Sequence, residues 1–407
     1  MNLKLDLNKG KNLIIYGLLF LTAMNFQSRF FYLAFVTFFA LIIMQKKIIV
    51  SQEAVFYLIL SVFTVIYDYS GIGSIIISMA YFLLYIIGYN MVIVGSENKK
   101  LICDNSMKSI EKKAYYLLLV IAGGSFMHYM LNFLINFNLE LGRNTNDIWT
   151  GSTMAATGQA ALACLMLGVA VALIIAPKKK SHRAIGIISI LCIFIYDFIL
   201  ACRTIPVMFI IIFMIGLIYI NKSMKNSSKK TKHFIALCVC ALIILVCIEL
   251  NIGGIQDIIL NSYLFRRIEF SAEIFSTKTS RMYAKMQFIL NGYKYPFGGL
   301  NLFNKYGYAH GLLLDGYDEY GLIGFILLIM ILFISIKRVY HLIKYKKYST
   351  EFKLIILCMY AAFLLEFCIE PILAGMKWLF CCYCLVNGCV SGMNRYILTD
   401  SSAEENI

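Results

Sequence analysis

A few arginines and one histidine are the residues of this chain best placed to do chemistry. Arg203 stands in "FILACRTIPVMFIIIF" (198–213), Arg281 in "TSRMYAKMQFILNG" (279–292) and Arg143 in "ELGRNTNDIWTGST" (140–153). His310 stands in "KYGYAHGLLLDGYDEYGLIG" (305–324). A guanidinium is a permanent cation whose planar fork of donors suits phosphate oxygens. An imidazole near neutrality can take a proton from a hydroxyl. Thr204 and Pro206 suit the first turn of a helix, so Arg203 would sit beside the positive end of a helix dipole, a good place for a phosphate. Each residue also has a plainer use. Arg203 could snorkel to lipid headgroups, Arg281 could be a solvated charge, and Arg143, near Trp149, could be an interfacial anchor. Arg266 and Arg267 fit headgroup contacts equally well. Asp315 could orient the imidazole, whereas Asp318 and Glu319 fit better as acids capping a helix start. Asp197, Glu366 and Glu370 lie inside apolar runs, where ionisable groups draw functional attention.

The elements that must position these residues are membrane helices. The 407 residues are 60% hydrophobic and 14% charged, with mean hydropathy +0.77. Apolar runs of about 15–22 residues recur along the length, which predicts an all-α polytopic membrane protein. Twelve spans are expected: 12–27, 30–45, 52–68, 72–95, 114–138, 153–176, 184–201, 204–221, 233–251, 317–336, 354–373 and 376–394. No cleavable signal is read in residues 1–11. The net charge of +15 is a topology signal rather than a nucleic-acid one. Most Lys and Arg fall in alternate breaks, such as "PKKKSHR" (177–183) and "NKSMKNSSKKTKH" (221–233), which places those breaks and both termini in the cytoplasm. The 13 cysteines sit mostly in apolar runs and read as buried free thiols, with no spacing for zinc. The tail "DSSAEENI" reads as disordered.

One outer segment stands apart. Residues 252–316 form a long, net-positive loop between spans nine and ten, and long loops commonly carry function. Within it, 279–292 reads as a short helix with Ser280 as N-cap and Asn291–Gly292 as its end. Met282, Met286 and Ile289 share one face, suited to a membrane surface or to the bundle. "YPFGGL" (295–300) reads as a turn.

Three of these stretches resemble the bacterial O-antigen and capsule polymerase/ligase family, the Wzy-type polymerases and O-antigen ligases. "ACRTIPVMF" resembles its short outer Ser-Arg-Thr turn, with Cys202 where Ser is usual. "TSRMYAKMQFILNGYKYPFGG" resembles its loop segment of arginine, short helix, proline and Gly-Gly turn. "AHGLLLDGYDEYGLIG" resembles its histidine motif, with Gly311 where asparagine is usual. "GRNTNDIWTG" is similar to an outer segment of some members.

The resemblance implies glycosyl transfer at the outer face of the bacterial cytoplasmic membrane, extending undecaprenyl-diphosphate-linked oligosaccharides without metal or cofactor. It implies His310 as base, and Arg203 and Arg281 on the diphosphate. Arg143, Arg266, Arg267, Asp315 and Tyr308 would hold diphosphate or glycan. Tyrosines at 293, 295, 306, 308, 317 and 320 could stack on sugars. The implied partners are the lipid-linked glycan, membrane lipids, a chain-length regulator and a flippase. A ligase serving another acceptor uses the same residues. A transporter of the same lipid would instead need basic residues along a path through the spans.

Overall fold

The computed structural model describes residues 7–93, 104–137, 144–223 and 281–404. Arg143, Arg266, Arg267, the expected span 233–251 and the first part of the long loop lie outside the described residues.

Helix follows helix because a chain this apolar must satisfy its backbone internally. The first five helices are α1 (Leu7–Ala23), α2 (Phe30–Gln45), α3 (Ala54–Asp68), α4 (Ile72–Ile93) and α5 (Asp104–Ile135). A small antiparallel hairpin of β1 (Asn144–Asn146) and β2 (Thr153–Ala155) follows, pairing Thr145 with Met154. Then come α6 (Ala156–Ile175), α7 (Lys180–Ile199) and α8 (Thr204–Ser223). The described chain resumes with two short helices, α9 (Arg281–Asn291) and α10 (Asn301–Tyr306). It closes with α11 (Leu312–Lys344), α12 (Thr350–Ile369), the single turn α13 (Ile372–Gly375) and α14 (Lys377–Glu404). Seven of the described helices are long and apolar enough to cross a membrane, namely α4–α8, α11 and α12. Shorter apolar helices, α1–α3, lie on the first three expected spans, and α14 lies on the last. The tail expected to be disordered is helical as far as Glu404.

Small residues set the packing, as they do where no hydrophobic force separates helix from lipid. The Ala- and Gly-rich α6 is the central helix, with 89% of its span buried. At Gly88 of α4, a Cβ would lie 2.0 Å from the Leu385 carbonyl oxygen. At Gly388 of α14, a Cβ would lie 2.0 Å from the Tyr85 carbonyl oxygen. Backbone therefore meets backbone across α4 and α14. The spacing of Gly388 and Gly392 is the small-xxx-small pattern that permits it.

Span ten starts earlier than expected. Helix α11 begins at Leu312, not 317, and is broken at Gly321, where φ is 70° and ψ −167°. Asp318 and Glu319 thus fall inside the first, short half of α11 rather than at the start of a span.

Gly388→Leu should force α4 and α14 apart. Overpacking of a tight contact costs about 1–3 kcal/mol, or more against rigid backbone. A thermal unfolding midpoint in detergent unchanged from wild type would show that the interface does not depend on this glycine.

Candidate functional site

The described residues of the long loop are built onto the broken helix. A break at Gly321 removes helical partners from the backbone groups around it, and buried backbone groups need partners. The "YPFGGL" turn supplies them. Leu322 N–H donates to the Pro296 carbonyl at 2.8 Å, Gly299 N–H to the Glu319 carbonyl at 3.3 Å, and Leu300 N–H to the Asp318 carbonyl at 2.9 Å. The fit leaves no room for side chains, since a Cβ on Gly321 would lie 2.5 Å from the Pro296 carbonyl oxygen. The Asp318 carboxylate accepts from Leu302 N–H and Phe303 N–H, each at 2.8 Å, and so caps α10. Both acids expected to cap span ten have other work. Glu319 accepts from Tyr320 Oη at 2.7 Å and lies 3.8 Å from Lys377 Nζ, which also pairs with Asp68. Phe288, Leu302 and Ala309 form a small apolar core under this segment.

His310 lies in the turn between α10 and α11. Its φ is +54°, a left-handed conformation uncommon outside glycine but more readily adopted by histidine than by most residues. Asp315 does not orient the imidazole through a hydrogen bond. Instead its carboxylate accepts from Gly311 N–H at 3.2 Å, while Asp315 N–H donates to the Gly311 carbonyl at 2.9 Å. That reciprocal pair fixes the turn that carries His310. The ring is half-buried, and Nδ1 is buried without a hydrogen-bond partner among the described residues. Tyr308 packs edge-on at 6.1 Å between ring centroids and is itself exposed.

Arg281 reaches the same place from α9. Its Nη1 donates to the Ile369 carbonyl and to Glu370 Oε1, both at 3.1 Å. Lys285, one turn later, donates to the Cys368 carbonyl at 2.8 Å. These are the last carbonyls of α12, which carry the negative end of its dipole and lack helical partners. Gly311 abuts the same carbonyls, since a Cβ there would lie 3.7 Å from the Phe367 and Cys368 oxygens. Below them Glu366 is fully buried, and neither of its carboxylate oxygens has a hydrogen-bond partner among the described residues. One helix end thus gathers His310, Arg281, Lys285, Glu370 and Glu366. Burial, then the charges of Arg281 and Lys285, push the His310 pKa down from 6.5 to about 4. The imidazole is therefore neutral at pH 7, the form that accepts a proton.

Arg203 belongs to the same end of the bundle. It is exposed in the tight turn between α7 and α8, directly before Thr204 begins α8. Helix α8 packs on α12, and a Cβ on Gly216 would lie 3.7 Å from Cys358 Sγ. From that contact both Thr204 and Glu370 lie twelve residues along antiparallel helices, about 18 Å at 1.5 Å per residue. Arg203 and Glu370 therefore come to one level. Nearby, Cys202 N–H donates to the Asp197 carbonyl at 3.1 Å, and Asp197 and Cys202 are both buried.

Two expected tyrosine contacts are structural. Tyr320 is buried, and Tyr317 donates to the Gly292 carbonyl at 2.8 Å. Tyr293 and Tyr308 remain exposed. The face of Met282, Met286 and Ile289 on α9 is exposed, as an interfacial helix requires.

The sequence reading missed Lys285, although its i, i+4 spacing from Arg281 was visible. It also missed the partner of His128. Nε2 of His128 lies 2.6 Å from Asp147 Oδ2, both side chains being buried. Asp147 also accepts from Trp149 N–H and Thr150 N–H, each at 3.0 Å. Burial pushes the Asp147 pKa up, but the His128 hydrogen bond and charge and these backbone donors outweigh it and hold the group at about 2. The hairpin that follows Arg143 is thereby pinned to α5.

No family model matches this chain, and no curated protein matches it in sequence.

The imidazole of His310, followed by NMR, should titrate near pH 4, and Arg281→Gln should move it upward. Because the folded value lies below the ordinary 6.5, this group favours the native state above pH 6.5. That advantage is lost as pH falls through about 4. A midpoint near 6.5 would show that the ring is neither desolvated nor beside the two cations.

Asp318→Ala should cost about 1 kcal/mol through loss of the α10 cap. It should also speed proteolysis within 295–306, and an unchanged cleavage rate would show that the cap does not hold the segment.

Proposed function

We propose that this chain joins glycan units carried on a polyprenyl diphosphate, extending a polysaccharide at the outer face of the bacterial cytoplasmic membrane. The proposal includes the twelve-span topology with both termini inside. The observation that carries it is the cluster at the end of α12. A neutral histidine stands beside two cations whose side chains converge on one helix end.

In this reading a hydroxyl of the acceptor glycan attacks the anomeric carbon of the donor. Its proton passes to the His310 imidazole. The bond from that carbon to the diphosphate oxygen breaks, and the lipid diphosphate leaves with the electron pair. Negative charge gathers on the leaving group, where fixed cations stabilise it most. Arg281 has N–H groups beyond the two bonds made by its Nη1, and Lys285 stands one turn away. Arg203, at the same level, supplies a third cation next to a helix N-terminus. An anion bound between Arg281 and Lys285 would offset the charges that depress the His310 pKa. The base would then strengthen when the donor is in place. Exposed Tyr308 beside the imidazole offers a ring face to a sugar.

Purified protein in liposomes, given undecaprenyl-diphosphate-linked repeat units, tests this. Wild type should give a ladder of lengthened glycans. His310→Ala should slow extension about 10²- to 10⁴-fold. Arg281→Lys and Arg203→Lys should each slow it about 10- to 10³-fold, because a point charge does not replace a planar fork. Extension by His310→Ala at the wild-type rate would end the proposal. Wild-type protein that moves the lipid between leaflets and joins no sugars would make it a transporter.

A further inference from the structure

The opposite end of the bundle holds a cleft of about 640 Å³ between α5, α6, α7 and the start of α12. It lies among the lysine-rich segments, away from the cluster on α12's other end. Its lining has two halves. Toward the bundle and the lipid-facing side the walls are apolar, with Leu119, Met166, Leu173 and Ile185. Ile185 and Tyr116 are 49% and 45% exposed, so the cleft opens sideways toward the bilayer. Its rim carries Lys108, Lys112, Lys178, Lys179 and Lys347.

Two acids also line the cleft, and both are turned inward on partners of their own. Glu111 accepts from Lys178 Nζ at 2.9 Å and from Ser349 N–H at 3.1 Å. Glu351, buried, accepts from the Lys178 backbone N–H and pairs with His182 Nδ1 at 3.0 Å. With five lysines against two acids, the lining keeps a net positive charge. Lys112 also lies 5.8 Å over the Tyr116 ring, which keeps its ammonium at the rim. A greasy wall open to the bilayer under a cationic rim matches one kind of occupant, an amphiphile with a negative head. Charge complementarity and the lateral opening together favour such an amphiphile over a purely soluble anion.

We propose that this cleft binds an anionic phospholipid, with its phosphate among Lys108, Lys112, Lys179 and Lys347 and an acyl chain along Leu119 and Ile185. The site does not depend on the glycosyl-transfer reading. Binding there would tie α5 to the turn before α7 and to the loop before α12, since the rim lysines come from α5 and from those two connections.

The test is native mass spectrometry of the full chain, released from nanodiscs of equal phosphatidylglycerol and phosphatidylcholine. Wild type should retain phosphatidylglycerol in preference to phosphatidylcholine. Lys112→Gln with Lys179→Gln should weaken that retention about 30-fold, from roughly a factor of five per lysine near an anionic headgroup. Leu119→Trp, which fills the apolar wall and leaves every charge, should expel the lipid as well. The two variants fail for different reasons, so misfolding of one leaves the other decisive. Equal retention of the two lipids by wild type, or unchanged retention in either folded variant, overturns the proposal. Displacement of the lipid by millimolar glycerol phosphate also overturns it, because a free headgroup would then suffice.

Discussion

The loop segment that carries His310 hangs on an open stretch of backbone at Gly321. A helix interrupted at a membrane edge exposes amide and carbonyl groups that neither lipid nor side chains readily satisfy. Here another stretch of main chain satisfies them. The Pro-Phe-Gly-Gly turn lies against the break and exchanges hydrogen bonds with it, and Asp318 extends the seam by capping α10. The loop is thus joined to α11 nearly as a strand is joined to a sheet. His310 and α9 take their positions from that seam, with Tyr67 adding a bond to the Phe297 carbonyl at 2.9 Å.

The second determinant is electrostatic. The C-terminal carbonyls of α12 attract cations, and α9 delivers two of them one turn apart. The same cations that complete this helix end lower the basicity of the neighbouring histidine. Structural and chemical demands meet on Arg281, which already holds Glu370 and which the proposed reaction also needs. Glu366 below it adds a buried carboxyl without a hydrogen-bond partner among the described residues.

Much of the fold could be read directly, because apolar runs and their breaks are local properties. Helix α9 emerged within a residue or two from its Asn-Gly end and its flanking residues. The glycine-rich turn at 295–300 was also legible. What was hidden depended on partners distant in the chain. Asp318 and Glu319 look like first-turn acids in any reading of "GYDEYGLIG". Only the tertiary fold shows that one caps a different helix and the other meets Lys377. The break at Gly321 fell unseen inside the expected span 317–336, since a positive φ leaves no mark on the sequence when glycine permits both signs. Lys285 escaped because its acceptor is a main-chain carbonyl, and carbonyls look alike in every residue. Asp147 escaped because its histidine lies in the preceding helix, across a break in the apolar pattern.

The glycine contact between α4 and α14 bears on how the protein is made. Among the described helices these two share the largest interface, yet most of the chain lies between them. Until α14 emerges from the ribosome, α4 presents a notch at Gly88 with nothing to fill it. Lys377, at the head of α14, also supplies the cation between Asp68 and Glu319. The early helices therefore wait in the membrane for the late one. The packing of α4 is completed only by a segment made late in synthesis, which also carries the cation between Asp68 and Glu319.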